Sequence, residues 1–145
     1  MSTRELQQRL VENLREWQKL ENAQIELTGS VREATSNPIV ALVMEIIQRD
    51  SQMHLRVQQL LIDSLESEVV TIASQDVELI ARQLAEHFAM EEATVKLAQD
   101  NLRALAGRKF LVQEFLLDFL RRDEEKHRDL LAALESFRDS AAAAE

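Results

Sequence analysis

At 145 residues the chain is long enough for one domain with a real core. A net charge of −9 excludes the basic surface that nucleic acid or an anionic membrane would need, so neither is expected as a partner. Zero Cys excludes disulfides, zinc knuckles, iron–sulfur ligation and thiol catalysis. Two Gly and one Pro leave little material for turns, so the elements are few and long. Abundant Ala, Leu, Glu, Gln and Arg with few aromatics favour helix over strand, and the chain reads as all-α. No apolar run reaches the roughly 18 residues of a membrane span. The N-terminal Met1-Ser2-Thr3-Arg4-Glu5 carries no signal-peptide hydrophobic region, so the expected location is the cytoplasm.

Four helices are expected, over about 3–34, 38–64, 75–105 and 109–138, with a frayed tail at 140–145. The first carries an inward column of Val11, Leu14, Gln18, Glu21, Ile25 and Thr28, in alternating steps of three and four. Gly29-Ser30 is a place for it to kink or end early. Ser36-Asn37-Pro38 is a start signal, a capping polar residue followed by Pro in the first turn. The second helix then carries Val43, Ile47, Asp50, His54, Val57, Leu61 and Ser64. Ser74, with Asp76 and Glu78, reads as the next cap and acidic first turn. The third helix carries Val77, Ala81, Leu84, Phe88, Glu91, Val95, Ala98, Leu102 and Leu105, and Gly107 breaks it. The fourth carries Leu116, Leu120, Asp123, His127, Leu130, Leu134 and Phe137, with Glu124 beside them.

The connection between the second and third helices, Leu65 to Ser74, contains Val69-Val70-Thr71-Ile72. Ten extended residues reach ~33 Å at ~3.3 Å each. Helices of this length are ~35–40 Å long. The connection is therefore expected to cross the bundle and join two hairpins, with a loose loop between antiparallel neighbours as the alternative.

The two hairpins look like copies. Ile47-Gln48-Arg49-Asp50-Ser51-Gln52-Met53-His54 matches Leu120-Arg121-Arg122-Asp123-Glu124-Glu125-Lys126-His127. Leu20-Glu21-Asn22-Ala23-Gln24-Ile25 matches Met90-Glu91-Glu92-Ala93-Thr94-Val95. Glu21 and Ser51 lie at equal distances from the first turn, and Glu91 and Glu124 at nearly equal distances from the second. Antiparallel partners equidistant from a turn share a height. Glu21, Asp50, His54, Glu91, Asp123, Glu124 and His127 are therefore expected in one layer. Five carboxylates and two imidazoles, with no Lys or Arg in the inward columns at that level, must be protonated, hydrated or bound to a cation. Carboxylate with imidazole suits iron, manganese or zinc, and five acids supply oxygens for two ions more naturally than for one.

A Glu, a Glu-x-x-His, a Glu and a second Glu-x-x-His on successive helices is the pattern of ferritin-like di-iron carboxylate proteins, which this chain resembles. Asp123-Glu124-Glu125-Lys126-His127 is similar to the Asp-Glu-x-x-His of bacterioferritins and rubrerythrins, and Asp50-Ser51-Gln52-Met53-His54 is similar to its partner with Ser in place of Glu. The resemblance implies a ferritin-like four-helix bundle with a dinuclear iron or manganese site, altered at Ser51. Glu21 and His54 would serve one metal, Glu91 and His127 the other, and Glu124 would bridge. Asp50 and Asp123 would accept from the His ring N–H groups. Without Cys there is no rubredoxin-type centre. Met53 falls one position past the haem Met of bacterioferritins, so no haem is expected. The chain shows no fifth helix, so a storage cage is not expected.

His87, one turn before Glu91, reads as an additional nitrogen ligand or as a flanking surface residue. Trp17, one turn before Glu21, reads as core packing, with shielding of the site or electron transfer as the functional alternatives. Glu45, Glu92 and Glu125 are expected to be solvated. Phe110-Leu111-Val112, Phe115-Leu116-Leu117 and Phe119-Leu120 make the last helix apolar around most of its girth, so it needs cover from the crossover or from another subunit, here a homodimer. The functional expectation is metal binding or oxidation, or peroxide or dioxygen chemistry. The rival is a ferritin-like interaction module without metal. A hemerythrin-like oxygen carrier would need more than three His.

Overall fold

The long helices begin where the chain gives their first amides a partner. In the computed structural model, which describes residues 1–67, 72–78 and 81–144, α1 (Thr3–Ala34) starts with a capping box: Ser2 Oγ accepts from the Glu5 amide, and Glu5 Oε2 accepts from the Ser2 amide at 2.6 Å. α2 (Pro38–Glu66) starts with Asn37, whose Oδ1 accepts from the Ile39 and Val40 amides at 2.9 and 3.3 Å, and Pro38 follows in the first turn. Then come α3 (Ser74–Glu78), α4 (Ala81–Leu105) and α5 (Leu111–Ala144). No strand occurs among the described residues. The chain is all-α, as composition predicts.

It divides into two compact units, Met1–Val70 and Thr71–Glu145. In the first, α1 and α2 form a helical hairpin. In the second, α4 and α5 form another, with α3 packed chiefly on α5. The crossover expected over 65–74 rests on residues 68–71, which lie outside the described residues, as does the side chain of Val77. Among the described residues no helix is long and apolar enough to cross a membrane.

In α1 the inward column holds: Val11, Glu21 and Thr28 are buried, and Leu14, Gln18 and Ile25 are half-buried. The column expected on α4 holds too, with Leu84, Glu91, Val95 and Ala98 buried. The line expected on α2 is displaced, and that on α5 holds in part. On α2 the buried residues are Ser51, Gln58 and Ile62, flanked by half-buried Met44, Gln48, Leu55 and Leu65. Ile47, Asp50, His54, Val57 and Leu61 of the expected line are exposed. On α5 the expected Leu116, Asp123, His127 and Leu134, with Glu124 beside them, are half-buried alongside Leu117, Arg121, Arg128 and Leu131, whereas Leu120, Leu130 and Phe137 are exposed. Both helices carry apolar residues on a second face, which draws the apparent apolar stripe away from the line that meets the partner helix.

The first helix does not end early at Gly29. α1 continues to Ala34, and a Cβ at Gly29 would lie 3.3 Å from Gln48 Nε2. The glycine lets the Gln48 amide approach closely enough to donate to Ile25 O at 3.3 Å, while Gln48 Oε1 accepts from Arg32 at 2.7 Å. Arg15 and Glu66 pair at 2.9 Å and tie the other end of this hairpin. Gly107 takes the left-handed conformation that ends α4, with φ +75°. α5 runs past the expected end at 138 to Ala144, because an alanine-rich segment has the highest helix propensity.

Candidate metal centre

In the second hairpin, Glu91 from α4 meets Glu124 and His127 from α5. One ligand atom from each lies within 4.8 Å of the other two. The Glu-x-x-His spacing puts Glu124 and His127 on one face of α5, one turn apart. His127 Nδ1 is 3.6 Å from Glu91 Oε1 and 3.4 Å from Glu124 Oε2. The other ring nitrogen, Nε2, is 3.4 Å from Asp123 Oδ2. One nitrogen faces the acids while the other lies near the Asp123 carboxylate, which also pairs with Lys126 at 2.6 Å, a placement suited to orienting a metal-binding imidazole.

Glu91 is only 8% exposed, and its Oε2 is buried with no donor in reach. The contact with Glu124, then burial, then the Glu124 charge push the Glu91 carboxyl above its ordinary value, against the opposing pull of His127 and His87. Glu124 moves the other way. The hydrogen bond with the Glu91 acid, helped by Thr94 and His127, holds it low against burial. Without a cation the opposite shifts of the two acids favour a proton on Glu91 facing a charged Glu124. A divalent cation would replace that proton and give Glu91 Oε2 a partner. A cavity of about 340 Å³ opens onto the site, lined by His87, Glu91, His127, Leu130 and Leu131.

The first hairpin repeats the plan with different chemistry. Glu21 is 4% exposed, and His54 Nδ1 lies 3.0 Å from its Oε1. Trp17 Nε1 donates to the same oxygen at 3.0 Å. Ser51, 2% exposed, stands where the second hairpin has Glu124. Its hydroxyl donates to Gln24 Oε1 at 3.4 Å and also acts on Glu21. Burial raises the Glu21 carboxyl. Hydrogen bonds from Ser51 and His54, the His54 charge and the Trp17 hydrogen bond outweigh it and hold the pKa below the ordinary value. Glu21 Oε2 is likewise buried and without a partner. Asp50, expected to hold the His54 ring, is exposed and makes no hydrogen bond or ion pair among the described residues.

Each hairpin therefore brings its own expected residues together: Glu91, Glu124, His127 and Asp123 in one, Glu21, His54 and Ser51 in the other. Trp17 differs from expectation. It is 55% exposed, not core, and its indole N–H is engaged on Glu21. Glu45 and Glu125, expected to be solvated, are half-buried and paired with Arg49 at 2.8 Å and Arg121 at 3.1 Å. Sequence reasoning missed Gln24 and Thr94. The signal was there: they are matched positions in the two copies, three residues after Glu21 and Glu91. In both hairpins this residue meets the one at Ser51 or Glu124. Compared with protein-family models, curated proteins and solved structures, the chain matches none.

Proposed function

We propose that the protein binds a first-row divalent metal, iron or manganese, through Glu91, Glu124 and His127, as an altered ferritin-like four-helix protein. The observation that carries this reading is the buried Glu91 carboxyl, faced by a second acid and an imidazole, with one oxygen left without a donor. Carboxylate and imidazole together form the donor set such ions take. Bound iron or manganese would supply electron-transfer chemistry toward dioxygen or peroxide. The residues themselves have simpler tasks. Glu91, Glu124 and His127 would hold the ion, the two acids giving up the proton between them, and Asp123 would orient the His127 ring. The dinuclear form of the reading adds Glu21 and His54 as ligands of a second ion.

The test is metal content after anaerobic incubation with Fe(II) or Mn(II) and desalting. One retained ion per chain, abolished by His127→Ala, is the expectation from the second hairpin alone; two per chain is that of the dinuclear form. No retained metal, with a melting temperature indifferent to metal, would favour the interaction module instead. A homodimer is part of the same proposal. Its support is the exposed apolar run Phe110, Leu111, Val112 and Phe115 on and before α5.

A further inference from the structure

We infer that His87 is a positioning residue for the metal centre. It aims the Glu91 carboxylate by donating its ring N–H and is not itself a ligand. This rests on the metal-binding reading above and goes beyond it.

The inference comes from superposing the chemistry of the two copies. His87 lies one turn before Glu91, and its Nε2 is 3.2 Å from Glu91 Oε1. Trp17 lies one turn before Glu21, and its Nε1 donates to Glu21 Oε1 at 3.0 Å. The carboxylate oxygen is the same in both. So is the opposing contact, an imidazole Nδ1 from the second helix, at 3.0 Å from His54 and 3.6 Å from His127. An indole nitrogen has a proton and no available lone pair, so it donates and never ligates. What the two copies share at this place is a flat ring with a nitrogen close to Oε1, hydrogen-bonded in Trp17 and in ion-pair contact in His87. A His with its proton on Nε2 offers the same kind of donor as the Trp. His87 also stands outside the group whose ligand atoms lie within 4.8 Å of one another, which comprises Glu91, Glu124 and His127.

The consequence is steric and electrostatic. A carboxylate held at Oε1 by an N–H keeps one orientation toward Glu124 and His127. Loss of such an outer partner typically weakens a metal site about 10–100-fold. His87 is largely exposed, so its replacement leaves the fold intact.

The experiment is a titration with Co(II), followed by its visible absorption, of the wild-type protein and of His87→Ala, His87→Gln and His87→Trp. The expected result is about a 10-fold loss of affinity in His87→Ala. His87→Gln and His87→Trp, which restore an N–H donor, should return to within about 3-fold of wild type, all with an unchanged absorption envelope because the ligand set is the same. An unaltered affinity in His87→Ala overturns the inference. So does a His87→Trp or His87→Gln variant as weak as His87→Ala with a changed envelope, since that marks a lost ligand. Failure of the wild type to bind Co(II), Fe(II) or Mn(II) overturns the metal reading and this inference with it.

Discussion

Ser51 and Glu124 occupy matched places, and the difference of one side chain separates a hydrogen-bonded site from one that needs a proton or a cation. Ser51→Glu would put a second acid beside Glu21 at a position only 2% exposed. Without metal the variant should lose roughly 3 kcal/mol or more, the scale of an uncompensated buried charge. Excess Mn(II) should recover part of the loss, read as a metal-dependent rise in melting temperature. Glu21 gives a pH dependence of definite sign. Its pKa is lowered from 4.5 in the fold, so its contribution is fully present above that value and disappears as pH falls through the lower, folded value. Acid unfolding of wild type should therefore show a stability loss below pH 4.5 that is smaller in Glu21→Gln, measured by urea denaturation across that range.

At the scale of elements, the turns were plain in the sequence because each rests on one residue with one physical role. Asn37 supplies a side-chain oxygen to two amides, and Asn37→Ala should cost about 1 kcal/mol. Gly107 sits at positive φ with nothing within 4 Å of a would-be Cβ. Gly107→Ala should therefore cost about 1–2 kcal/mol through backbone strain alone, with Gly107→Asn milder, both read from thermal melts. The faces of α1 and α4 were legible because the steps of three and four through Glu21 and Glu91 follow the line that meets the partner helix, although Leu20, Leu27, Met90 and Leu97 lie off it. That of α2 was not, and that of α5 only in part. In α2 the line that meets α1 contains Gln48, Ser51 and Gln58, while Val57, Leu60 and Leu61 stay exposed. A hydrophobic pattern cannot rank a polar line that packs above an apolar line that does not. His54 illustrates the result: it reaches Glu21 from the edge of the contact, not from its centre.

At the scale of the molecule, each hairpin buries few apolar side chains. The buried apolar side chains among the described residues are Val11, Ile62, Leu84, Val95 and Ala98. Leu20 and Leu27 of the first hairpin, and Met90, Leu97 and Leu111 of the second, lie outside the buried line of their own hairpin. That balance favours association, and light scattering should return a mass above one 16.6 kDa chain. A monomer across the micromolar range would defeat the dimer proposal. The candidate ligands were legible because the duplication fixed their spacing. The indole of Trp17 was not, since composition assigns a lone Trp to packing and only geometry reveals where its N–H points. That indole has a practical consequence. The chain has one Trp and no Tyr, so its near-ultraviolet emission comes from the first hairpin alone, from a ring bonded to the glutamate of the copy that lacks the second acid. A cation that reaches Glu21 should alter this light.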